Sequence, residues 1–181
     1  MRRSDIPFGS EFSPDQVDLA VLLELAQSCE GDWRAFEDAV YEEYFRDRQC
    51  SEDNRRKLAN NVKLSMIAYG LIDRDADLTD LGARLHAERA NAEGMVTDFA
   101  RHILLHLEGL TVVECIRSIQ MGGDRCGLEV IAGRLRDYDL YVPDTGRHLS
   151  TLRLWLERAG VFGGGRYKID EARLQEILGM E

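Results

Sequence analysis

The chain of 181 residues lacks any run of eighteen apolar residues, so a helix crossing a bilayer is not expected. Met1-Arg2-Arg3 runs into Ser4-Asp5 rather than an apolar secretory core, and the expectation is a cytoplasmic protein with no membrane contact. Cysteine is sparse. Cys29, Cys50, Cys115 and Cys126 form no Cys-x-x-Cys pair and no framework spacing, which argues against zinc modules and structural disulfides and for reduced thiols. Positive charge is also short: 23 Lys and Arg stand against 33 Asp and Glu, a formal net charge of -10, which argues against a generally nucleic-acid-binding surface. The shortage is uneven. Residues 109–181 hold ten bases and eleven acids, whereas residues 1–108 hold thirteen and twenty-two, so the acid excess belongs to the first part.

What is present is mostly helical periodicity. Residues 1–12, polar with Pro7 and Gly9, read as a flexible arm. Ser13-Pro14 is a good helix start, followed by Val17, Leu19 to Leu23 and Leu25-Ala26. A second amphipathic helix buries Trp33, Phe36, Val40 and Tyr44 and turns Glu37, Asp38, Glu42 and Glu43 outward. Ser51 opens a third, through Leu58, Val62 and Met66 to Gly70. Leu71-Ile72 then reads as a short strand, residues 74–77 as a turn, and Leu78-Thr79 as the return into another helix. Residues 92–108 read as a connecting helix with Phe99, Ile103 and Leu107 inward.

The stretch from Thr145 to Ile169 repeats this order. Leu149, Leu152, Leu156 and Ala159 form one helical stripe, Gly160 stops it, and Val161-Phe162, Gly163-Gly164-Gly165 and Arg166 to Ile169 read as strand, turn and strand. Tyr69-Gly70-Leu71-Ile72 matches Ala159-Gly160-Val161-Phe162 at a period near ninety residues, which is domain-sized. Trp155, beside Leu152 and Leu156, is expected in the core.

Both stretches resemble the tail of winged-helix DNA-binding domains, in which the helix before the glycine is the recognition helix and the segment after it is the wing. The resemblance implies a mainly α fold with small β hairpins: a first winged helix-turn-helix module at 13–91, a connecting helix at 92–108 and a second module at 109–181. Arg147 to Phe162 is most similar to the tandem winged-helix recognition part of prokaryotic restriction or phage-defence proteins. It implies duplex DNA recognition on behalf of a protein partner that carries the catalysis. The same fold also serves transcriptional regulators and non-catalytic protein adaptors. The implied contacts are Arg147, His148, Ser150, Thr151, Arg153 and Arg158 on the recognition helix and Arg166 and Lys168 on the wing. Arg55, Arg56, Lys57 and Lys63 form the analogous patch of the first module, with salt bridges to nearby acids as the alternative. Asp73, Asp75 and Asp77 crowd the first turn and oppose phosphate contact there.

Other chemistry finds little support. His102 and His106 stand at i and i+4, but without a Glu in His-Glu-x-x-His register or a third ligand. Asp137, Asp139 and Asp144 lack the lysine of a nuclease cluster, and the triple glycine lacks the Lys-Ser/Thr of a phosphate loop. The expectation is a binding protein without cofactor or metal, not an enzyme.

Overall fold

The computed structural model describes residues 3–143 and 146–179. Among these, the helices are α1 (Leu19–Cys29), α2 (Trp33–Val40), α3 (Glu52–Ala68), α4 (Asp80–Ala87), α5 (Ala92–His106), α6 (Gly109–Met121), α7 (Leu128–Arg136), α8 (Arg147–Arg158) and α9 (Glu171–Leu178). A π turn at Tyr41–Phe45 continues α2. Two compact units divide the chain: Phe8–Met95, and Val96–Glu181 with Met1–Pro7, each taken over its described residues.

Helix starts follow their caps. Ser51 accepts the Asn54 N–H at α3, Asp32 accepts those of Arg34 and Ala35 at α2, and Asp18 accepts those of Ala20 and Val21 at α1. The first helix therefore begins at Leu19, not at Ser13-Pro14. In the first unit the buried stripe of α1, Leu19, Leu22, Leu23 and Ala26, belongs to the same core as Phe36 and Val40 of α2 and Val62 and Met66 of α3. In the second, Trp155 of α8 is 2% exposed and meets Phe99 of α5 edge-on with ring centroids 5.2 Å apart.

The expected winged-helix architecture is overturned. With 61% helix, 2% strand and no sheet among the described residues, the fold is all-helical. Where small β hairpins were expected, the described residues form two isolated antiparallel bridges, Ile72 with Leu78 and Phe162 with Ile169. The reason is local. Each strand candidate is only two to four residues long, and the first residue of each leading one is taken by a helix end: Leu71 donates back to Met66 (2.9 Å), Val161 to Leu156 (3.0 Å). Arg166-Tyr167 turns rather than extends, with the Lys168 N–H closing onto the Gly165 carbonyl at 3.2 Å. Among the described residues no third strand lies beside either pair, and a lone two-stranded pair has little stability of its own.

Two further expectations change. Residues 5–12 are not a loose arm: the Asp5 N–H donates to the Tyr141 carbonyl (2.9 Å), the Tyr141 N–H returns to the Asp5 carboxylate (2.6 Å), and Phe12 is buried against Tyr69. Nor is α5 a bare connector, since Phe99, Ala100, Ile103 and Leu104 are core residues of the second unit.

The ninety-residue repeat is structural. Gly70 (φ 78°) and Gly160 (φ 91°) take the left-handed conformation just past α3 and α8, where glycine avoids a Cβ penalty. Their N–H groups bond Ile67 and Glu157, the next residues bond Met66 and Leu156, and together these make the same helix stop twice. Thr79 then donates to the Leu71 carbonyl and Asp170 to that of Val161. Thr79 caps Gly82 at α4, and Asp170 caps Arg173 at α9. The second turn is one residue longer than the first.

Candidate nucleic-acid interface

Asp144 and Thr145, at the start of the expected recognition stretch, lie outside the described residues. Gly146 (φ 68°) precedes α8 and gives its first N–H groups no side-chain cap. Six of the twelve α8 residues are buried: Leu149, Thr151, Leu152, Arg153, Trp155 and Leu156. This fixes which face is left. Arg147, Glu157 and Arg158 are exposed, and His148, Ser150 and Leu154 are half-buried, so the outward strip runs Arg147, Ser150, Leu154, Arg158. Thr151, expected on that strip, is 6% exposed and turned into the unit.

Arg153 is likewise no surface contact. At 8% exposure its guanidinium donates to the Glu157 carboxylate (2.7 Å) and the Arg166 carbonyl (3.4 Å), and lies 5.5 Å from the centre of the Tyr167 ring. Glu157, the one acid of the stretch, is thereby engaged by a cation behind the surface. Arg166 and Lys168 are exposed on the turn, where the Lys168 stem lies over Gly164 so closely that a Cβ there would come within 2.6 Å of it. The structure thus gathers Arg147 and Arg158 along α8, and Arg166 and Lys168 on the turn that follows. Eleven residues of helix place the first two about 16 Å apart along the axis, of the order of a major-groove width.

The first unit disposes of its cations differently. Arg56 pairs with Asp38 at 2.5 Å and covers the Tyr41 ring at 4.0 Å; Lys63 pairs with Glu37 at 3.3 Å and covers the Trp33 ring at 4.4 Å. Arg55 donates to the carbonyls of Arg48 and Cys50. Only Lys57 of that patch is exposed. The acidic face of α2 is a lock against α3, so Arg55, Arg56 and Lys63 are structural groups here. Sequence separations of 18 and 26 hide such pairs from any reading based on i, i+4 spacing.

Among the described residues no group of three or more His, Cys, Asp or Glu side chains is arranged to hold a metal; His102 and His106 have ring centroids 5.5 Å apart. Burial pushes the Cys115 thiol up to about 11, so it stays protonated at neutral pH. Arg117, fully engaged by the Glu171 carboxylate through two 2.8 Å bonds, has its guanidinium held still more firmly charged by that pair. A cavity of about 320 Å³ opens beside Leu128, Ala132 and Pro143, with Glu129 and Arg136 of opposite charge in its wall. None of the described helices is long and apolar enough to cross a membrane. Comparison with protein-family models, with curated proteins and with solved structures finds no match.

Proposed function

We propose that the second unit binds duplex DNA through the outward strip of α8 and the 163–168 turn. The observation that carries this is the grouping of Arg147, Arg158, Arg166 and Lys168 as exposed cations on two consecutive elements while the one intervening acid, Glu157, is held by buried Arg153. Nothing in this reading depends on a winged helix. Arg166 and Lys168 act on backbone phosphate; Arg147, at the first turn of α8, is placed to reach a base edge, and Ser150 replaces Thr151 beside it. The unit's near-neutral balance and the acidic first unit keep bulk attraction low, so affinity rests on these few contacts.

Three phosphate contacts, from Arg158, Arg166 and Lys168, give a salt slope of about -2.7, a loss of about 40-fold in affinity between 50 and 200 mM salt. Fluorescence anisotropy of the full chain with labelled duplexes checks this. Arg166→Ala or Lys168→Ala should weaken every duplex alike and reduce the slope by about 1. Arg147→Ala should cost roughly 1–3 kcal/mol on a selected site and much less on random sequence. Binding insensitive to salt, or variants with unaltered slopes, counts against the reading.

A second reading is a non-catalytic protein-binding adaptor that docks through the first unit. It is favoured by ten bases against nineteen acids in residues 8–95 and by the exposure of Trp33 (41%) and Leu64 (41%) there. Retention of a native partner by wild type but not by a Trp33→Ala, Leu64→Ser variant, with no DNA affinity in either, would put this reading first.

A further inference from the structure

The two repeats hold their turns by different means. In the first, the Asp73 carboxylate accepts the N–H groups of Asp75 (2.9 Å) and Asp77 (3.1 Å), so the turn is fastened by its own side chain. The equivalent position ninety residues on is Gly163, which has no side chain to do this, and two more glycines follow in a turn one residue longer. Glycine adds freedom that must be lost when the turn is ordered. The missing fastening is replaced from outside. The Arg153 guanidinium reaches the Arg166 carbonyl and the Tyr167 ring from α8, and the Gln120 amide donates to the Tyr167 carbonyl at 2.8 Å from α6. In the first repeat the counterpart of Arg153 is Lys63, which turns to Glu37 and Trp33 instead.

We infer that Arg153 and Gln120 are positioning residues: they hold two successive peptide carbonyls, those of Arg166 and Tyr167, and so keep Arg166 and Lys168 outward before any ligand arrives. Arg153 touches no ligand in this arrangement. Its charge is spent on Glu157, and its planar fork serves the turn. The consequence for affinity rests on the DNA reading; the consequence for the turn itself does not. Ordering the turn in advance removes an entropic cost from binding, which changes affinity without changing the number of phosphates neutralised.

Two measurements on the full chain separate these points. The first, without DNA, follows amide hydrogen exchange at Gly163 and Lys168, whose N–H groups bond the Lys168 and Gly165 carbonyls across the turn. Gln120→Ala, at an exposed site that leaves the core untouched, should speed exchange there about ten-fold while α8 amides keep wild-type protection. Arg153→Gln should do the same or more, and Arg153→Lys should restore part of the protection. Unchanged exchange in Gln120→Ala, whatever Arg153→Gln does to folding, overturns the inference. The second measurement titrates random duplex. Gln120→Ala should bind roughly three- to ten-fold more weakly at an unaltered salt slope, whereas Arg166→Ala lowers the slope. Wild-type affinity in Gln120→Ala despite faster turn exchange would overturn the positioning role. Faster turn exchange with no duplex binding by wild type would keep the clamp and defeat the DNA reading.

Discussion

A methyl group added at Gly82 would lie 2.1 Å from the Leu71 carbonyl oxygen, closer than any real contact allows. That carbonyl already accepts from the Thr79 backbone, so it has little freedom to retreat. Gly82→Ala should therefore destabilise the protein by about 1–3 kcal/mol or more, the ordinary cost of overpacking. Gly133 is the control. It sits inside α7 with nothing within 4 Å of an added Cβ, and Gly133→Ala should stabilise by about 0.5–1 kcal/mol through helix propensity alone. Urea midpoints of the two variants should move in opposite directions; a shared direction would show that the close approach at Leu71 does not govern Gly82. A helical-propensity rule treats the two glycines alike, and only the packed carbonyl separates them.

At the scale of elements, α4 is tied to α1 by a small charged cluster. His86 Nε2 lies 2.6 Å from the Glu24 carboxylate and Arg89 Nε 3.3 Å from it. The hydrogen bond from His86 chiefly, with the charge of Arg89, holds the Glu24 carboxyl below its ordinary value of 4.5 against a smaller opposing effect of desolvation. A carboxyl lowered by folding favours the folded state above that ordinary value, and the preference is lost as pH falls through the lower folded value. Glu24→Gln should thus lower the thermal midpoint at neutral pH, with the gap from wild type narrowing as the pH falls below about 4. Thermal melts across that range decide it, and a gap independent of pH would remove Glu24 from the acid response. Much at this scale was legible. The stripes of α1, α3 and α8 and the Ser51 cap follow from residue types at helical spacing, and so does the repeated glycine stop. The hairpins were not, because two apolar residues after a glycine look alike whether their backbone groups go to a strand or to the last turn of a helix. The Ser13-Pro14 start misled for a related reason: Asp18 offers a competing cap closer to the apolar run.

For the whole molecule, charge decided more than fold. The contrast between an acidic first part and a near-neutral second part was readable from composition, as was the concentration of cations after residue 145. Their availability was not. Arg56 and Lys63 are claimed by acids on another helix, and Arg153 by Glu157 and the turn, so of the basic side chains expected to face a duplex only Arg147, Arg158, Arg166, Lys168 and Lys57 are exposed. Helical periodicity assigns residues to faces, but which face is covered depends on neighbours distant in sequence. That is why Thr151 changes sides. The proposed DNA contact of the second unit rests on the position of its exposed cations, not on net charge. The most direct measurement compares two full-length variants with identical charge change: Arg147, Arg158, Arg166 and Lys168 all replaced by Gln, and the exposed first-unit residues Arg34, Lys57, Arg74 and Arg84 all replaced by Gln. Titrated against the same duplex at two salt concentrations, the first should lose salt-sensitive binding and the second should keep most of the wild-type affinity. Equal losses in the two, or none in the first, would contradict the account.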